Sequence, residues 1–329
     1  MSTRYVVFGA GAVGGVIGAR LAQAGHDVAL IARGAHLEAI RSGGLRLLTP
    51  VEDVTLQIPA AADPAELEVG RPGDIVLLTV KGQDTLGALD QLRAAGADEV
   101  PIVCVQNGVE NERVAQRRFA DVYGGYVLAP TNHLEPGIVE AAGANLSGFL
   151  YFGRYPSGSD ARCAQIAEAL TGARFVSRAV DDVMRLKHAK LLLNLANVVG
   201  ALFADAPEMS DLEARVRAEG EAVLDAGAIP HDDPHASDRE TRWKDLGVAP
   251  IAGRARGGSS TWQSLKRGSR SHPPTIETDY LNGEISLLGR LHGVPTPLND
   301  ALCRLADAHA RRGGGPGELP LDAFLEEVG

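Results

Sequence analysis

Gly9-Ala10-Gly11-Ala12-Val13-Gly14 follows directly on the apolar run Tyr5–Phe8 and opens a stretch, Ala12–Ala24, with helical spacing. Glycines at these three positions between a strand and a helix have separate physical jobs. The first permits the tight turn, the second lets the backbone approach a pyrophosphate, and the third lets helix and strand pack closely. The helix N-terminus then offers its unpaired amides to phosphate oxygens. The competing reading, a structural glycine turn with no nucleotide, is weakened by a second strand, Asp27–Ala32, at the distance a βαβ unit requires.

That second strand ends in Ile31-Ala32-Arg33, with no Asp or Glu where an NAD enzyme places a carboxylate against the adenosine ribose. Arg33 suits the 2′-phosphate of NADPH instead, its alternative being an ordinary solvated arginine; Arg41 is a weaker second contact. Two more nearly all-apolar runs, Asp74–Val80 and Ile102–Val105, read as strands buried on both faces and so as parallel sheet. They end in Lys81-Gly82-Gln83 and Gln106-Asn107-Gly108. Ligands of doubly wound sheets lie at the carboxyl ends of strands, which points Lys81 and Asn107 toward the cofactor. Against this, a loop lysine is often only solvated, and Asn-Gly is a common turn dipeptide.

Helical patterns at Thr85–Ala95 and Glu110–Phe119 alternate with these strands, and an antiparallel pair, Gly44–Thr49 with Val54–Ile58, is inserted after a short helix. Further strands are expected at Gly125–Leu128, Ile138–Ala141, Phe149–Phe152 and Phe175–Val176. Past Asp181 the β signal stops. Helices are expected at Asp182–Phe203, Asp211–Ala226, Ser259–Lys266, Ile276–His292 and Pro297–Arg312. The fold class is therefore α/β: an N-terminal Rossmann-type dinucleotide-binding domain, residues 1–178, an all-helical domain, 179–312, and a flexible tail, 313–329. The charged stretch 229–258 reads as loop or poorly packed helix.

Composition narrows the function. The 329 residues carry 42 acidic against 32 basic side chains, a net charge of −10, which argues against a general nucleic-acid binder. Three cysteines, widely spaced, indicate neither a disulfide framework nor a zinc site, and a reducing cytoplasm is the expected compartment. Arg4 and the apolar run to Ala19 have the outline of a signal peptide, but five glycines would weaken such a helix. No other run is long and apolar enough to span a membrane.

In the helical half, Lys190-Leu191-Leu192-Leu193-Asn194-Leu195-Ala196-Asn197 is apolar nearly all round except at three positions. At ~100° per residue Lys190, Asn194 and Asn197 fall within about 60° of one another. A polar stripe on a buried helix faces water, a polar partner or a ligand cavity, because an unpaired buried ammonium is very costly. Glu277, Asp279 and Asn282 share a later helix, where acids can also serve the macrodipole. Ser259 and Ser260 open a helix that either could cap.

Together these stretches resemble the ketopantoate reductase (2-dehydropantoate 2-reductase) family, over roughly Tyr5 to Arg312. The resemblance rests on Gly9–Gly14, Arg33, Val80-Lys81, Gln106-Asn107-Gly108, Lys190–Asn194 and Ile276–Gly283. It implies Lys190 as catalytic lysine with Glu277 completing the site, Asn194 and Ser260 as substrate contacts, and Lys81 and Asn107 bridging cofactor and substrate. Asn197 enters on the helical stripe alone. The family's Trp two residues before the lysine is His188 here, and its second Asn, followed by Pro, is replaced by Val198-Val199. The implied reaction is NADPH-dependent reduction of a 2-oxo acid, ketopantoate leading, to a 2-hydroxy acid, with the carbonyl between the domains. Two readings stay open beside it: reduction of another 2-oxo acid or an imine, and a non-catalytic NADP-binding sensor. The partner is a small molecule, with no metal, nucleic acid or membrane; a homodimer is left open.

Overall fold

The computed structural model describes residues 2–233, 243–255, 257–268 and 273–328. The chain divides into two compact units, Met1–Met184 with His235–Arg256, and Arg185–Pro234 with Gly257–Gly329.

The first unit is built on apolar strands, β1 (Arg4–Phe8), β2 (Asp27–Ile31), β3 (Leu45–Leu48), β4 (Asp53–Leu56), β5 (Ala60–Ala61), β6 (Asp74–Leu78), β7 (Ile102–Cys104), β8 (Val122–Leu128), β9 (Thr131–Asn132), β10 (Ile138–Ala141), β11 (Gly148–Arg154) and β12 (Phe175–Ala179). An eight-stranded sheet runs in the order β12-β11-β8-β7-β6-β1-β2-β5. β1 pairs in parallel with β2 on one side and β6 on the other, so the strand order reverses around the strand that carries the glycine turn. β1 and β6 are buried at every position, as expected of strands covered on both faces. The antiparallel pair β3–β4 is present, and it belongs to a second sheet ordered β4-β3-β10-β9. Helices α1 (Ala12–Gln23), α2 (Gly34–Gly43), α3 (Thr85–Ala94), α4 (Asn111–Gln116) and α5 (Ala161–Gly172) belong to the same unit.

The second unit is helical: α6 (Val183–Asn194), α7 (Val199–Leu202), α8 (Met209–Ala226), α9 (Ser260–Arg267), α10 (Asn282–His292), α11 (Pro297–Arg311) and α12 (Leu321–Val328). α8 crosses close over the stripe-bearing segment at Gly220, where a Cβ would lie 2.7 Å from Leu195 and 2.8 Å from Leu192. A side chain there would push the two apart.

Four expectations need correction. The boundary at 178/179 falls instead after Met184, because Val183 and Met184 pack on the sheet where Gly124 and Gly153 leave room. A return segment beyond residue 234 also rejoins the first unit; in it Leu246 is buried and Val248 bridges to Gly143. The continuous helix 182–203 is interrupted by a 3₁₀ turn, Leu195–Asn197. The helix 276–292 starts only at Asn282, after a separate 3₁₀ turn, Thr278–Tyr280, so Glu277 precedes a turn. Finally, 313–329 is no flexible tail, because Leu321 and Phe324 give α12 a buried face and Phe324 meets the Phe203 ring at 5.3 Å. The backbone before α12 is tied down as well, Gly317 and Leu319 donating to the carbonyls of Ala201 and Leu202. Residues 234–242 and 256 of the charged stretch 229–258, and residues 269–272, lie outside the described residues.

Candidate active site

In the first unit the three glycines behave as their spacing predicts. Gly9 sits at φ +106°, and a Cβ there would lie 2.8–2.9 Å from Val80. Gly14 admits no side chain, since a Cβ would stand 2.3 Å from both the Gly9 carbonyl and Thr79 Oγ1. Gly11 differs: nothing lies within 4 Å of the place its Cβ would take. A glycine bordered by open space, between two glycines required by packing, fits a backbone that a ligand must approach. Gly11 is also the N-cap of α1 and has no side chain to cap it, and no acid lies in the first turn. The amides at Ala12, Val13 and Gly14 are thereby left for an anion. Ala10 is buried, and its amide, like that of Gly9, donates to the Ile31 carbonyl, fastening the turn to β2.

Arg33 stands at the end of that strand as the N-cap of α2, its side chain 82% exposed and 3.1 Å from Asp84. Arg41 is engaged elsewhere, donating to the Ala60 carbonyl and to Glu66. Lys81 is half-buried and precedes a 3₁₀ turn, Gly82–Asp84. A chain of buried side chains connects its loop to Asn107. Gln106 Nε2 donates to the Val80 carbonyl and to Thr85 Oγ1, both at 2.8 Å. Thr85 donates to Asn111 Oδ1 at 2.7 Å, and Asn111 Nδ2 donates to the Asn107 carbonyl at 3.0 Å. Sequence reasoning missed Thr85 and Asn111; alternation of polar and apolar residues carries no sign that they would meet. Among the described residues, Asn107 Oδ1 is buried with no hydrogen-bond partner, as are both polar atoms of Gln83. Orphaned acceptors and donors beside a glycine turn fit a polar ligand, and this donor set suits a nicotinamide dinucleotide.

In the second unit two of the three stripe residues meet. The 3₁₀ turn places residues three apart in register, and Asn197 Nδ2 stands 3.4 Å from Asn194 Oδ1. Asn194 is buried, and its own Nδ2 has no acceptor among the described residues. Ser259, not Ser260, caps α9, accepting from Trp262 N–H and donating to the Asn197 carbonyl at 3.0 Å. Ser260 is the first helical residue, half-buried, one position along. Asn282 Nδ2 donates to the Leu195 carbonyl at 3.1 Å and to Asn299 Oδ1 at 3.0 Å. Glu219 anchors this network from below through Asn299 Nδ2 and two amides at the start of α11. The interrupted helix that presents the stripe is thus held from two sides.

Lys190 belongs to the same unit as Glu277. Burial lowers its ammonium pKa to about 7; Lys187, one turn earlier and itself buried, pushes the same way, and Glu277 opposes both. Arg267 is also lowered by burial and supported by Glu277, so one carboxylate serves two desolvated cations. Lys187 was absent from the sequence reading, although a second lysine three residues before Lys190 lies on the same helix face. His188, in the place of the family's Trp, is half-buried with Nδ1 3.0 Å from the Pro230 carbonyl.

The family description "Ketopantoate reductase PanE/ApbA" matches residues 5–157, and its C-terminal counterpart matches residues 182–310. The chain belongs to the ketopantoate reductase family. A 2-dehydropantoate 2-reductase of Mesorhizobium japonicum is 31% identical, over 92% of this chain and 96% of its own. A PanE/ApbA family ketopantoate reductase from Ralstonia eutropha JMP134 superposes with a TM-score of 0.77 at 29% identity, covering 94% of this chain and 99% of that one. A D-mandelate dehydrogenase bound to NADH and anilino(oxo)acetate shares the fold, with a TM-score of 0.76 at 21% identity and the same coverage. Among the described residues no helix is long and apolar enough to cross a membrane, and no cluster suited to a metal ion occurs.

Proposed function

We propose that the protein reduces 2-dehydropantoate to pantoate with NADPH. The observation that carries this reading is the second unit's combination of a lysine poised near neutrality, Lys190, with a stripe whose buried amide donor at Asn194 lacks an acceptor among the described residues. A 2-oxo acid presents a carbonyl that must be protonated as it is reduced, and further oxygens that accept hydrogen bonds.

When bound along Gly9–Gly14, NADPH supplies the hydride to the carbonyl carbon. The chain's part is to receive the charge that develops on oxygen: Lys190 hydrogen-bonds the carbonyl oxygen and delivers the proton as the alkoxide forms. The neutral amine that remains is reprotonated from solvent. A lysine with its ordinary pKa would hold its proton too tightly to act as an acid at neutral pH; one near 7 gives it up readily. Asn194, Asn197 and Ser260 orient the remaining oxygens, and Glu277 bonds a substrate hydroxyl while sustaining the charged form of Lys190. Lys81 and Asn107 stand at the nicotinamide end, and Arg33 pairs with the 2′-phosphate.

The departures at His188 and Val198-Val199 favour a second reading, reduction of a different 2-oxo acid by the same machinery. A substrate panel followed by loss of NADPH absorbance separates the two. Turnover is expected with 2-dehydropantoate at kcat/KM at least tenfold above branched and aromatic 2-oxo acids. A reversed preference establishes the second reading, and nucleotide binding without turnover of any 2-oxo acid or imine establishes a sensor.

A further inference from the structure

His36, three residues past Arg33, is joined to the glycine turn. On α2 its Nε2 lies 2.7 Å from the Ala10 carbonyl, and its Nδ1 lies 2.9 Å from the Gly137 amide. The two partners settle the tautomer. The Gly137 N–H is a donor and needs the lone pair on Nδ1, so the proton sits on Nε2 and is donated to Ala10. Gly137 is itself held in place: it sits at φ +77°, its carbonyl accepts from the Arg46 amide, and a Cβ there would lie 2.9 Å from Ala39 on α2. The imidazole therefore spans three elements: the helix that follows Arg33, the turn that would hold the pyrophosphate, and the entry to β10.

We propose that His36 is a positioning residue for dinucleotide binding, its neutral ring locking the Ala10 carbonyl and so the glycine turn in the nucleotide-accepting conformation. The proposal rests on the reading of that turn as the dinucleotide site. Protonation brings an N–H on Nδ1 against the Gly137 N–H, exchanging a hydrogen bond for a donor–donor clash, and the ring must rotate away from one partner or both. Burial holds the imidazole below its ordinary pKa, so the lock stays closed at neutral pH and opens on the acid side.

The charged and titratable groups on the surrounding elements are mostly matched. His133, before β10, meets His36 with ring centroids 4.1 Å apart and planes tilted by 48°, and donates to the Ile138 carbonyl through Nδ1. Glu140 pairs with Arg254, which also lies 3.9 Å from Glu135. Arg46 on β3 pairs with Asp53, Arg20 on α1 with Glu52, and on α2 itself Arg33 pairs with Asp84 and Arg41 with Glu66; Glu38 is exposed.

The test is calorimetric titration of the full chain with NADP⁺ from pH 5 to pH 8, for wild type, His36→Gln and His36→Ala. The nucleotide's 2′-phosphate titrates in this range too, so the quantity read is the ratio of variant to wild-type Kd at each pH, from which that titration cancels. His36→Gln retains an amide donor for Ala10 and has no proton to gain. His36→Ala should bind about tenfold more weakly at pH 8, the equivalent of one lost hydrogen bond. For both variants the Kd ratio should fall as the pH drops to 5, because only the wild type loses its lock. Ratios that stay flat across pH with His36→Ala at wild-type affinity overturn the role of His36 alone. A wild-type chain that binds no NADP⁺ at any pH overturns the dinucleotide reading, and the proposal with it.

Discussion

The proposed nucleotide end of the first unit and the proposed lysine site of the second would recognise ligands by opposite means. Around Gly9–Gly14 the groups on offer are backbone amides with no side chains over them, and each glycine's surroundings are set by neighbours within a strand or two. Around Lys190 the groups are side chains whose chemistry comes from being buried beside one another, with Lys187 and Glu277 pulling one ammonium in opposite directions. A backbone site is tolerant of electrostatics and intolerant of added atoms. A side-chain site has the reverse sensitivities, and substitutions of the two kinds should separate them.

The largest effect is expected at Lys190. Lys190→Ala removes the proton donor and should lower kcat/KM by about 10²–10⁴-fold, the usual worth of general acid catalysis. The NADPH affinity should stay within about twofold, because the groups proposed to bind the nucleotide belong to the other unit. Near wild-type turnover would remove Lys190 from the chemistry. The same residue sets a pH profile. Its pKa is lowered to about 7, so the ammonium is present below that value and lost above it. The kcat/KM for reduction should therefore be level below pH 7 and fall about tenfold per unit above it, with oxidation of the 2-hydroxy acid showing the mirror-image rise. A profile level to pH 9 would mean that the lysine keeps an ordinary pKa.

The contrast sharpens at Gly11. Its φ of −72° suits any residue, and its Cβ position is open, so Gly11→Ala should leave the thermal midpoint unchanged or slightly raised. NADPH affinity should nonetheless fall about tenfold or more, as the methyl occupies the phosphate approach. Gly14→Ala, whose methyl would strike Gly9 and Thr79, should instead destabilise the fold by about 1–3 kcal/mol. If Gly11→Ala binds NADPH normally, the open space is not where the pyrophosphate lies.

The two regions also differ in how far they could be read from residues in order. The glycine turn, β1, β2 and Arg33 form one continuous run, and a local rule reaches all of it. The lysine stripe was legible as helical spacing, but its partners were not. Lys187 matters only once it is known to be buried, and the chain from Gln106 through Thr85 and Asn111 to Asn107 joins residues whose neighbours say nothing of one another. The two 3₁₀ turns escaped because their residues keep the periodicity of a helix, and the switch depends on the Asn282 amide waiting at the Leu195 carbonyl. The terminal helix escaped because glycines and proline before it drew attention from the apolar pair Leu321 and Phe324, of which Phe324 finds Phe203 more than a hundred residues upstream.

Arg33 tests the backbone site from its charged edge. A guanidinium paired with the 2′-phosphate is worth ~1.5–3 kcal/mol, roughly one to two decades in affinity. Arg33→Ala should raise the KM for NADPH by that factor and leave the KM for NADH nearly unchanged. Its side chain is 82% exposed, so stability should hardly move. Equal losses with both nucleotides would mean that Arg33 does not touch the phosphate.

Glu277 tests the side-chain site with the smallest change. It raises the Lys190 pKa against burial and Lys187, so Glu277→Gln should let that pKa sink further below 7. The break in kcat/KM for reduction then moves to lower pH, by about one unit at most, and activity at pH 7 drops severalfold for this reason alone. Arg267 loses the same support, and Lys190 is left desolvated without its carboxylate, so the thermal midpoint should fall as well. Loss of a hydroxyl contact, by contrast, raises the KM for the 2-oxo acid at every pH without moving the break. Because the two consequences fall on different axes, one pH series on the variant separates them. A break that stays near 7 with an unchanged KM would leave Glu277 as an acid before a 3₁₀ turn and no part of the site.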